Sequence, residues 1–185
     1  CVIMWLYIVI ALVAFILLFS FITYNNLVNL NNKVVEAFST MDVYLKKRWD
    51  LIPNLVETVK GYAKHEKDTL ESVISLRNGS YDNLSDEEKI DLNNKLANKI
   101  SKVMALAENY PDLKASDNFK NLSKQLTQVE DEIANSRKYY NGVVRIFNNK
   151  VEMFPSNIIA NLFHFKKKSM FEIKDYEREN IKVEL

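Results

Sequence analysis

The chain has 185 residues, enough for one domain plus an appendage. Its 25 basic and 24 acidic residues leave a formal charge of +1, without the basic excess that DNA or RNA binding favours, so no nucleic-acid partner is expected. Cys1 is the single cysteine, which excludes an intramolecular disulfide framework and a cysteine metal cluster, and only three Gly and three Pro leave few residues for turns or phosphate-cradling loops.

Long helices follow from that scarcity. Because the sequence starts at Cys1, it is read as a fragment start or as a lipidated N-terminus; the apolar run that follows makes a lipid redundant and favours the fragment. Residues 2–22, VIMWLYIVIALVAFILLFSFI, are 21 residues without charge, and Ser20 is the one clearly polar side chain. As a helix the run spans ~31 Å, matching a hydrocarbon core of about 30 Å. A cleaved secretory signal needs a shorter apolar stretch and a small-residue cleavage site, whereas the exit here is FSFITYNN. An uncleaved single-pass anchor is expected, with Trp5, Tyr7 and Tyr24 near its ends, where amphipathic aromatics favour the interface. Residues 1–32 contain no Lys or Arg, while Lys33, Lys46, Lys47 and Arg48 follow, so the positive-inside rule places the bulk of the chain in the cytoplasm.

Beyond the anchor, apolar residues recur at Leu27, Leu30, Val34, Ala37, Met41 and Tyr44, then at Ile52, Leu55, Val59, Tyr62, Leu70 and Val73. Steps of three and four make this a coiled-coil-like seam, predicting one long helix to about Arg77. Arg48 falls on an apolar position and Pro53 sits inside the run, so a kink between them is expected. Asn78, Gly79 and Ser80 stop the helix. Ser85-Asp86-Glu87-Glu88 is a capping-box pattern that opens a second helix, with inner face Leu92, Leu96, Ile100, Val103 and Ala107. Asn109-Tyr110-Pro111 closes it. A third helix starts near Ser116 or Asp117 and carries Phe119, Leu122, Leu126, Val129, Ile133, Tyr140, Val143 and Phe147. A short apolar helix follows Phe154-Pro155, then Lys166, Lys167 and Lys168 and a charged tail that runs along the bundle or adds a strand. Short connections favour antiparallel neighbours, so the prediction is all-α: anchor 1–23, up-and-down bundle 24–165, tail 166–185.

Four stretches carry a family resemblance: YNNLVNLNNKVVEAFSTMDVYLKKRWDLIPNLVETVKGYAKHEKDTLESV (24–73), YPDLKASDNF (110–119), EDEIANSRKYYNGVVRIFNN (130–149) and FPSNIIANLFHF (154–165). With these the chain resembles the LemA family of bacterial membrane-anchored helical proteins. The resemblance implies an anchored antiparallel bundle and supplies no catalytic chemistry or cofactor. Some relatives resemble lipoproteins whose modified cysteine precedes the Tyr-Asn that here is Tyr24-Asn25; Thr23 occupies that place, so the lipoprotein form does not transfer.

No catalytic or metal-binding constellation emerges. His65-Glu66 opens like a zinc-protease motif, but Thr69 stands where the second His belongs. His65 and His164 are the only histidines, too few for the Glu-x-x-His pairs of a carboxylate di-metal bundle. The polar residues that stand out are Lys46, Lys47, Arg48 and Asp50 on the first long helix and Glu130, Arg137 and Asn141 on the third. They read either as register-fixing groups, with Arg48 pairing an acid such as Glu130, or as a partner-docking surface. Lys166, Lys167 and Lys168, beside Phe163, Phe165 and Phe171, read as a solvated run or as a contact to anionic lipid, each Lys near a charged bilayer contributing about 1 kcal/mol. Val35, Phe38, Val56 and Ile74 lie outside the seam and suit self-association. The expected function is a non-enzymatic membrane scaffold or adaptor, homo-oligomeric and with a protein partner; the alternative is a self-assembling membrane-remodelling or envelope-stress protein.

Overall fold

A computed structural model describes residues 2–77 and 79–171; Cys1, Asn78 and the tail from 172 onward lie outside the described residues. Within them the chain is all-α. In order come α1 (Val2–Tyr62), α2 (Lys67–Ile74), α3 (Asp86–Ala107), α4 (Pro111–Ala115), α5 (Asp117–Glu152) and α6 (Ser156–Leu162), with single 3-10 turns at Ser75–Arg77 and Tyr81–Asn83. The chain divides into two compact units, Ala37–Lys138 and a second made of Cys1–Glu36 with Tyr139–Leu185.

In the first unit, α1 contributes a wide apolar face. Ala37, Met41, Ile52, Leu55 and Val59 are buried as the seam requires, and so are Phe38, Leu45, Trp49 and Val56, which the seam leaves out. A helix covered on more than one side buries a broader stripe than a two-helix seam does. Phe38 and Val56 are therefore core residues, whereas Val35 and Ile74 remain about half exposed. The helix runs unbroken through Arg48 and Pro53; Pro53 is on the exposed side, where water can satisfy the carbonyl that its missing donor leaves.

The first helix ends at Tyr62, not near Arg77. Between Tyr62 and Leu70 the seam lacks its next apolar residue, and Glu66 stands where one is needed. The chain turns at 63–66, with the Ala63 N–H donating to the Val59 carbonyl and the Glu66 N–H to the Ala63 carbonyl. Helix α2 then buries Leu70 and Val73 and packs against α3. Tyr62 is consequently exposed.

The paired residues set the helix directions. Asp42 meets Lys89 and Arg48 meets the Asn93 carbonyl, so α1 and α3 advance the same way. Arg48 also meets Glu130, while Asn54 and Gly61 line one depression with Ser116 and Asn118, so α5 runs opposite to α1. The up-and-down order holds with the short α2 as its second member. Every residue of the predicted α5 seam from Phe119 to Phe147 is buried, as are Leu96, Val103 and Ala107 of α3.

In the second unit, residues 2–18 of α1 are exposed on all sides. Cover begins with Phe19 and Ser20, and Thr23 and Leu27 are buried. In the same unit Tyr140, Val144, Phe147 and Val151 of α5 and Ile159 and Ala160 of α6 are buried, and the Phe163 ring lies 4.6 Å from that of Tyr24. Helix α6 closes with two bonds, from the Phe165 N–H to the Ala160 carbonyl and from the His164 N–H to the Asn161 carbonyl, around His164 at φ 58°. That is a Schellman ending, and it reverses the chain after seven helical residues.

The Ser85 box forms as expected. The Glu88 N–H donates to the Ser85 hydroxyl oxygen, and the Ser85 N–H donates to the Glu88 carboxylate at 2.8 Å. Accepting first from the Ser85 backbone and then from its hydroxyl holds the Glu88 carboxyl below its ordinary value. A depressed folded-state pKa stabilises the fold above the unfolded-state value, and the contribution is lost as pH falls through the folded one. Glu88→Ala is therefore expected to lower the melting temperature at pH 7, with the gap from wild type narrowing below about pH 4. A gap independent of pH between 7 and 3 would show that the carboxylate is not what caps α3.

Candidate functional site

The polar residues singled out on α1 and α5 do not converge on one site. Arg48 is buried at 1% exposure, with its guanidinium donating to the Glu130 carboxylate and to the Asn93 carbonyl. A cation in a helix seam is costly unless it is paired and hydrogen-bonded. Arg48 thus ties α1, α3 and α5 together at one level. Arg137 is half-buried and also partnered. Asn141 belongs to the other unit and serves a different purpose. Its side-chain amide donates to the Phe171 carbonyl at 2.9 Å and accepts from the Phe171 N–H at 2.8 Å.

Lys46 joins a cluster that sequence reasoning missed, because its partners are far apart in the chain. The Tyr81 hydroxyl donates to Asp42 at 2.7 Å, and Lys89 pairs with the other Asp42 oxygen at 2.7 Å. Lys46 and Lys89 lie 5.3 and 5.1 Å from the Tyr81 ring centre, Trp49 lies against the same ring, and Arg77 stacks on Trp49. Burial, then the hydrogen bond to Asp42 and the charges of Asp42, Asp82 and Asp50, push the Tyr81 phenol well above its ordinary value. It stays a neutral donor. This arrangement pins the α2–α3 connection to α1; it has no nucleophile and base poised for transfer. Of the residues named from the sequence, Lys47 and Asp50 remain exposed on α1.

The described surface of this unit also carries a groove of about 500 Å³ at the α1–α2 turn. Val56, Ala63 and Leu70 form its floor with the half-exposed Ile74, and Lys60, Lys64 and Lys67 stand around it with Glu71. An apolar floor under three cations suits an apolar side chain flanked by acids. The turn that folds α2 back over Val56 was not legible in the sequence, and the groove depends on it. Among the described residues no group of three or more His, Cys, Asp or Glu is placed to hold a metal.

The family model described as the LemA family matches residues 37–185. The chain belongs to the LemA family. Protein LemA of Metamycoplasma hominis is 25% identical over 158 residues, covering 85% of this chain and 72% of that protein. Magnetosome protein MamQ 2 of Paramagnetospirillum magneticum is 31% identical over 77 residues, and magnetosome protein MamQ of Magnetospirillum gryphiswaldense is 29% identical over 77. Each of these matches spans 42% of this chain and 28% of the magnetosome protein. The names of these relatives carry no catalytic activity, and the LemA-family chain described here joins a candidate membrane span to a helical bundle.

Removing Glu130 leaves a buried guanidinium without its carboxylate, whereas removing Arg48 leaves a carboxylate that is 57% exposed. Glu130→Ala is expected to destabilise by about 2 kcal/mol, less than the ~3–5 kcal/mol of a fully buried pair because one partner is half in water. Arg48→Met, which keeps most of the packing volume, is expected to cost less than Glu130→Ala in urea titration. The reverse order would show that the Arg48 contacts to the rest of the core outweigh its charge.

Proposed function

We propose that this LemA-family chain is a single-pass, membrane-anchored helical adaptor without catalytic activity, which holds an acidic amphipathic segment of another protein at its α1–α2 groove. The observation that carries the reading is α1 itself. Its residues 2–18 are apolar and exposed on every side, which in water costs far more than leaving scattered apolar residues exposed, yet the same helix continues into a fully packed bundle. The groove supplies the adaptor part: its three lysines oppose a single acid at the rim, so a partner segment rich in Asp or Glu is complementary. Lys33, Lys46, Lys47 and Arg48 after the span favour a cytoplasmic bundle in a bacterial membrane.

A second reading, self-assembly with membrane remodelling or an envelope-stress role, draws on the relatives named as magnetosome proteins and on the exposed Val43 and Ile146. Purified protein in vesicles separates the two, since remodelling requires cross-linked ladders and deformed vesicles without any partner.

Two measurements test the adaptor. With Cys1→Ser and Ser80→Cys in the full chain, a membrane-impermeant maleimide is expected to label only after lysis; labelling of intact cells would place the bundle outside. With a photo-cross-linking residue at Ile74, a cross-linked species is expected that disappears in Lys64→Glu, Lys67→Glu while the melting temperature is unchanged. Cross-linking indifferent to that charge reversal would remove the groove from the proposal.

A further inference from the structure

In the unit that contains the apolar span, the α5–α6 turn exposes an unusual set of side chains. Met153 is 61% exposed, Phe154 79%, Ile158 57%, Leu162 66% and Phe163 49%. Five large apolar side chains in eleven consecutive residues are too many and too close together for scattered surface hydrophobics. Their opposite side is conventional core: Ser156, Ile159 and Ala160 are buried, and the Ser156 hydroxyl donates to the Lys150 and Met153 carbonyls, at 2.7 and 2.8 Å. The turn is therefore firmly seated, with its apolar side left outward.

Its position says what covers it. The Phe163 ring lies 4.6 Å from that of Tyr24, and Phe165 6.0 Å from the same ring. Tyr24 is two residues beyond Ile22, the end of the apolar run, or about 3 Å along the helix axis. Cover on α1 begins within the run, at Phe19 and Ser20. The outward side of α6 thus lies level with the boundary of any bilayer that α1 crosses. Directly after the Schellman ending come Lys166, Lys167 and Lys168, all exposed, with Lys167 paired to Glu152 at 2.6 Å. Apolar side chains next to lysines, at the depth where a span leaves the hydrocarbon, are the composition of an interfacial membrane contact.

We propose that the α5–α6 turn is a second membrane contact, inserting Phe154, Ile158, Leu162 and Phe163 into the leaflet through which α1 emerges, with Lys166 and Lys168 at anionic headgroups. The proposal rests on the reading of residues 2–22 as a membrane span. Of the three phenylalanines beside the lysines, only Phe163 faces outward: Phe165 is half-buried against Tyr24 and Phe147, and Phe171 is buried against Tyr140. Lipid contact therefore comes mainly from the turn before the lysines.

The test uses the full chain with Cys1→Ser, reconstituted in vesicles of phosphatidylcholine with and without 30% phosphatidylglycerol. A polarity-sensitive nitrobenzoxadiazole probe is attached at Ile158→Cys, with Ile10→Cys and Val43→Cys as membrane and aqueous references. The Ile158 probe is expected to be quenched several-fold more by lipids carrying a shallow nitroxide than the Val43 probe. That quenching should strengthen with phosphatidylglycerol, and Lys166→Gln combined with Lys168→Gln should abolish the strengthening. If the Ile158 probe instead responds like Val43 to a water-soluble quencher while Ile10 remains in lipid, the span stands and the second contact is overturned. If neither quencher reaches Ile158, a second copy of the chain covers the turn and the proposal also fails. An Ile10 probe open to water would overturn the span and this inference together.

Discussion

Helix α1 has to meet two different conditions. Over residues 2–18 every face is apolar and none is covered by protein, whereas from Leu27 onward the buried residues form one stripe, and the other side is mainly polar with a few exposed apolar residues such as Val35 and Val43. A helix that meets the first condition is a candidate membrane span, with apolar lateral contacts and backbone bonds made internally. It can meet the second only against other helices in water. The change falls between Phe19 and Leu27, where Ser20 and Asn25 return side-chain bonds to the carbonyls of Ile16 and Phe21, four residues earlier. These local bonds let polar groups enter near the end of an apolar run without unsatisfied donors. The other elements of that unit are arranged around this transition.

Within the bundle, Arg48 imposes the second constraint. A charge in a helix seam needs partners placed to pair with it, which an apolar residue does not. The guanidinium donates to Glu130 on α5 and to the Asn93 carbonyl on α3, so the levels of three helices are tied to one another. The Tyr81–Asp42–Lys89 cluster makes a similar tie six residues earlier on α1, for the connection between α2 and α3. Polar groups here make the directional contacts between helices, while Ile52, Leu55, Val103, Val129 and their neighbours supply the burial.

Much of this was legible in the sequence because it is local or periodic. The apolar run, the Ser85 box, the α5 seam and the pairing of Arg48 with Glu130 all follow from spacing and from the cost of burying a charge. The early end of α1 was written in the missing apolar residue at Glu66, but a single gap in a seam is easily bridged when neighbours on both sides fit. Helix α4, at Pro111–Ala115, merges in the sequence with the break that precedes α5. The groove beside Lys60 and Lys64 and the Tyr81 cluster depend on which helix lies against which, and one chain's periodicity does not encode that. Asn141 was singled out, but its partner was not: a backbone segment thirty residues away has no side-chain signature.

That segment shows how a stretch without helix or strand partners can be held in place. Asn141 and Asn148 are seven residues apart, on one face of α5, and each uses both ends of its amide. Asn141 pairs with the N–H and carbonyl of Phe171, and Asn148 with those of Lys168, at 2.8 to 2.9 Å. The Tyr140 hydroxyl donates to the Ser169 carbonyl between them. Two amides thus do for the chain what a neighbouring strand would do, pairing with the N–H and carbonyl of one residue each. Lys168 is fixed through its backbone while the residue remains exposed, and the buried Phe171 ring secures the far end. A lysine run on an unheld tail would sample many positions. Here the run is pinned at one end by the Schellman turn at His164 and at the other by Asn148, so its charges stay beside the apolar α5–α6 turn.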